Sequence, residues 1–72
     1  MKYCVVMKMP GLGDVIAGEN EKPYLEKDPA KLEQICLKAL ETKTCNIVSI
    51  REYKGKDREG FLLGNTYKTY SL

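Results

Sequence analysis

The sequence predicts an α+β fold: a small antiparallel sheet of three or four strands with one helix packed on one face, in the order β-β-α-β-β. Three observations carry this. Residues 29–42 hold apolar side chains at helical spacing, the runs 3–9, 46–53 and 61–70 are rich in β-branched and aromatic residues, and Pro and Gly punctuate the gaps. Adjacent strands pair most simply as hairpins.

The first strand, Tyr3 to Met9, ends at Pro10, which supplies no amide hydrogen. Pro10, Gly11, Leu12, Gly13 and Asp14 form a turn cluster, and Val15, Ile16 and Ala17 return as a short strand. Residues 18–27 are polar, interrupted by Pro23, and read as a connecting loop with Tyr24 and Leu25 as anchors. Asp28 followed by Pro29 marks a helix start: the carboxylate accepts orphan amide hydrogens, and proline at the first helical position sacrifices none. Leu32, Ile35, Cys36, Ala39 and Leu40 form one apolar stripe, and Leu37 falls outside it. After Thr42 the run Asn46 to Tyr53 reads as a strand, residues 55–60 as a charged turn, and Phe61 to Tyr70 as the last strand.

The 72 residues form a single domain, 1–72. A chain this short buries only about 60% of the surface it exposes when unfolded. Its hydrophobic content of 43% and charged content of 31% are those of a folded globular protein. The net charge of +2 does not by itself signal nucleic acid. Cys4, Cys36 and Cys45 are an odd number, and no apolar run reaches the roughly 20 residues that cross a bilayer. A complete cytoplasmic protein with no membrane partner is expected.

Chemistry is constrained most by what is missing. Histidine is absent, which removes the usual general base and the commonest metal ligand. The cysteine spacings match neither a zinc ribbon nor a redox pair, so the thiols are expected to be buried and structural. Gly11 and Gly13 lack the remainder of a phosphate-binding loop and read as a hairpin turn. The acids Asp14, Glu19, Glu21, Glu26 and Asp28 lack calcium-loop spacing and read as a solvated loop, with Asp28 as the cap. No enzyme, metal or cofactor is expected.

The remaining argument concerns coverage. Four strands span roughly 19 Å and a helix only about 10–12 Å, so one helix covers about half of the sheet face it meets. If the aliphatic set Val6, Val48, Ile50 and Leu62 packs beneath the helix, the other face displays Tyr3, Met7, Arg51, Tyr53, Phe61 and Tyr67. Aromatic residues, Met and Arg are the types enriched at protein interfaces. The competing arrangement folds residues 10–27 over that face or exchanges the two faces. The leading expectation is a non-enzymatic protein-binding module, an inhibitor or adaptor of the kind phages and mobile elements carry, whose partner is another protein or a second copy. The alternative is nucleic-acid binding by Lys54, Lys56, Arg58 and Lys68, interleaved with aromatic rings.

Overall fold

The structure, a computed structural model, describes residues 1–20 and 22–72; Glu21, one of the loop acids, lies outside them. Among the described residues six strands and one α-helix follow in the order β1 (Lys2–Met9), β2 (Gly13–Ile16), β3 (Gly18–Glu19), β4 (Lys22–Pro23), α1 (Glu33–Glu41), β5 (Ile47–Asp57) and β6 (Gly60–Ser71). Four of them form an antiparallel sheet in the order β2-β1-β5-β6, and β3 and β4 form a separate small hairpin. The α+β architecture with its helix between strand pairs is the one expected.

The turn cluster after β1 works as its composition requires. Gly11 and Gly13 adopt φ of 79° and 80°, a left-handed conformation that costs glycine little, and the Leu12 amide donates to the Met9 carbonyl at 3.1 Å. The chain thereby returns antiparallel, pairing Val6 with Ile16 and Met7 with Val15. The segment expected to be a plain loop instead folds into the β3–β4 hairpin, pairing Gly18 with Pro23. It then returns to β1, where Tyr3 and Glu26 exchange backbone hydrogen bonds of 2.8 and 3.2 Å.

Gly18 makes this small hairpin close. A Cβ there would press into the Lys22 carbonyl oxygen and stand 2.8 Å from both the Lys22 carbonyl carbon and the Pro23 Cα. Backbone atoms cannot step aside as a flexible side chain would. Gly18→Ala is therefore expected to destabilise the protein by about 1–3 kcal/mol, within the range of overpacking strain. Thermal denaturation checks this, and a variant melting together with the wild type would contradict the close approach.

The helix starts at Asp28 as expected, with Asp28 Oδ1 accepting from the Ala30 amide at 3.0 Å. Its first turn is a tight 3-10 turn, Pro29–Leu32, so the expected helix 29–42 is a 3-10 turn followed by the α-helical Glu33–Glu41. The stripe packs as predicted: Leu32, Cys36, Ala39 and Leu40 are buried and Ile35 is partly buried. They meet Val5, Val48 and Ile50 from the sheet, joined by Ala17 and Cys45.

The last hairpin is longer than its charge pattern suggested. The expected turn over 55–60 shrinks to Arg58 and Glu59, because Asp57 Oδ1 accepts from the Glu59 and Gly60 amides at 2.8 and 3.1 Å and closes it. Three register shifts between Ile50 and Gly55 then bend the hairpin. Its distal end curls so that Gly60, Phe61 and Leu63 border the same depression as Val6 and Ile16, on the face away from the helix. Such irregularities bend a strand and increase its local twist.

Candidate interaction surface

The two edges of the main sheet are built differently. On one side β2 has only four residues and leads through Ala17 into the β3–β4 hairpin, so little of that edge is open. On the other, β6 runs for twelve residues with no strand beyond it among the described residues. An open edge is a row of unpaired backbone donors and acceptors, and proteins ordinarily blunt it with charge, proline or a short strand. Between Gly60 and Ser71, Lys68 is the only charged residue and proline does not occur.

Which backbone groups of β6 point outward follows from one bond. The Leu72 amide donates to the Asn46 carbonyl at 3.1 Å, extending the regular ladder in which Ser71, Tyr70, Thr69 and Lys68 face Ile47, Val48, Ser49 and Ile50. In an antiparallel pair hydrogen-bonded and non-hydrogen-bonded residues alternate. Leu72, Tyr70 and Lys68 therefore bond inward to β5, and the amides and carbonyls of Ser71 and Thr69 turn outward. Thr69 and Ser71 are both exposed.

The six residues expected on one face are divided between two. Val5 pairs with Ile50 and Met7 with Val48, so Tyr3 and Met7 lie on the helix side and pack against the core. Tyr67 joins them, its ring centroid 6.0 Å from that of Tyr3 in an edge-on contact. Arg51, Tyr53 and Phe61 lie on the reverse. Tyr53 and Phe61 have centroids 5.9 Å apart, and Arg51 Nε and Nη2 donate to the Gly64 carbonyl at 3.3 and 3.0 Å. Val6, expected beneath the helix, is buried on this reverse side next to Ile16. A single aromatic face is therefore not formed.

The four basic residues are likewise not all brought together. Lys54, Lys56 and Arg58 sit on the distal hairpin, with Lys56 Nζ 5.4 Å from the Phe61 ring centroid. Lys68 is held elsewhere, 3.5 Å from Glu33 Oε1 and 5.0 Å from the Tyr70 ring centroid. The Tyr70 hydroxyl donates to the same Glu33 oxygen at 2.6 Å. That hydrogen bond, and then Lys68, hold the Glu33 carboxyl below its ordinary value. Burial and the Glu33 hydrogen bond push the Tyr70 hydroxyl up. The cluster ties the start of α1 to the regular end of β6.

No family model, curated protein or solved structure matches the chain. The physical features of the surface therefore carry the functional reading. Cys4, Cys36 and Cys45 are free and buried, and burial raises the pKa of each thiol. Among the described residues, no cluster of His, Cys, Asp or Glu is arranged to hold a metal ion, and no helix is long and apolar enough to cross a membrane.

The residues that sequence reasoning passed over are Thr69 and Ser71. Their types carry no interface signal, because it is their backbone that is exposed. The available signal was the length of the last apolar-polar run together with its single charge, which marks an edge strand without the usual protection.

Proposed function

We propose that the chain is a non-enzymatic protein-binding module that takes an extended segment of polypeptide along the outer edge of β6. The observation supporting this most is the regular ladder at Lys68–Ser71, which leaves the backbone groups of Thr69 and Ser71 directed outward on an edge with one charge. Strand addition uses such groups for affinity and alternate side chains for selectivity. Exposed Ile47, Tyr67 and Leu72 beside the stretch supply apolar contacts. An inhibitor or adaptor role fits this mode, and three free buried thiols suit a reducing compartment such as the cytoplasm. Nucleic-acid binding is supported less, since Lys68 is engaged by Glu33, and Asp57 and Glu59 lie among the remaining cations.

Proline at Thr69 tests the reading directly. It deletes an outward amide hydrogen and no ladder bond to β5, and proline is tolerated at such edge positions. The tagged wild-type chain is expected to retain a binding protein that the Thr69→Pro chain loses, with both giving the same far-UV circular dichroism. Equal retention by the two folded chains would overturn strand addition at β6.

A further inference from the structure

We infer that the occupant of this edge is a second copy of the chain, its β6 paired antiparallel to the first about a two-fold axis at Tyr70. The inference deepens the strand-addition reading and rests on it. The register follows from the backbone. Regular pairing with β5 spans Lys68 to Ser71, continues to Leu72 through its bond to Asn46, and breaks between Lys68 and Thr66. Within that stretch only Thr69 and Ser71 present outward groups. An axis at Tyr70 sets Thr69 of each copy opposite Ser71 of the other, and the four outward amides and four outward carbonyls of the two stretches then pair.

Two further features favour a like partner over a peptide selected by charge. Lys68, the one charge on the strand, is already balanced by Glu33, so the edge has no unbalanced charge with which to attract an acidic or basic segment. Leu37 also stands 48% exposed outside the helix stripe. It lies one turn beyond Glu33, and positions four apart share a helix flank. Glu33 bonds Tyr70, so this flank lies on the β6 side of the helix, with about half of Leu37 open to solvent. A two-fold at Tyr70 places two helices on the same face of one continuous eight-stranded sheet, and the two Leu37 side chains approach each other above the joined strands. An isolated peptide strand offers no counterpart to Leu37. Isologous pairing supplies one automatically.

The paired stretch is short, so the dimer is a weak, concentration-dependent one. Sedimentation equilibrium of the purified chain from about 5 to about 500 µM reads it directly, since dissociation constants in this range mark weak association. The expected result is a mass rising from one chain toward two. Thr69→Pro stays monomeric, Leu37→Lys raises the dissociation constant at least roughly tenfold, and Leu12→Lys, on the β1–β2 turn two strands away from β6, leaves it unchanged. A wild-type chain that stays monomeric throughout overturns self-pairing, as does a dimer indifferent to both Thr69→Pro and Leu37→Lys. If the wild type is monomeric yet retains another protein that Thr69→Pro loses, strand addition stands and the second-copy inference alone falls.

Discussion

Ile50→Ala is expected to cost about 2–5 kcal/mol, the range for truncating a buried isoleucine in a core that cannot collapse around the gap. Ile50 is fully buried on β5, opposite Val5 and within the cluster that includes Leu32, Cys36 and Leu40. A chain of 72 residues has a total stability of only about 4–11 kcal/mol, at 0.05–0.15 kcal/mol per residue. One side chain therefore accounts for a large share of the margin. In a domain this small each kcal/mol lowers the midpoint by about 4–8 °C, so the variant melts at least about 8 °C lower or is unfolded at room temperature. Thermal denaturation followed by circular dichroism makes the measurement. Ile47→Ala, three positions earlier at a side chain 40% exposed, serves as the control, and its effect should stay within about 1 kcal/mol. Equal effects at the two positions would show that the face assignment of β5 is wrong.

That face assignment also marks the boundary of what the sequence makes legible. Alternation within one strand is local, so Val48 and Ile50 are separable from Arg51 and Tyr53 by inspection. The helix stripe and its Asp28 cap are local in the same sense, and both are found where the spacing places them. The register between β1 and β5 is not local: the two strands are joined through the helix, and β1 is apolar at both parities, with Cys4, Val5 and Val6 all buried. Either parity of β1 satisfies the hydrophobic pattern, and a shift of one residue exchanges the faces. Hence alternation alone groups Val6 with Val48, whereas Val5 is the residue opposite Ile50. The bends in the β5–β6 hairpin are hidden for a related reason, since each arises from unequal residue counts on paired strands. The candidate edge was obscured because its outward groups are backbone atoms of Thr69 and Ser71.

The pairing of helix and sheet also sets how the protein responds to alkali. Burial, then the neighbouring Cys45 and Glu33, push the Cys36 thiol up from 9.0 to about 11. A raised value in the folded state means that the unfolded chain gives up this proton first. The stabilisation is thus fully present below pH 9, declines as pH rises through the interval, and is lost above about 11. Over that window a single such group removes at most about 2–3 kcal/mol, at 1.36 kcal/mol per unit before solvent screening lessens it. Cys4 and Cys45 are raised by burial as well and act with the same sign. Tyr70, raised by burial and by its bond to Glu33, adds to the loss as pH climbs past the ordinary tyrosine value. Urea unfolding at intervals between pH 7 and pH 11 is expected to show a flat region followed by a steep fall. Cys36→Ala lowers stability at pH 7 through the space it leaves, yet its fall across the alkaline range should be shallower by the Cys36 contribution. The slope separates titration from packing, because a purely steric role for Cys36 shifts the whole curve down without changing its shape. Parallel curves for wild type and Cys36→Ala would therefore rule out the buried thiol as a source of alkaline sensitivity.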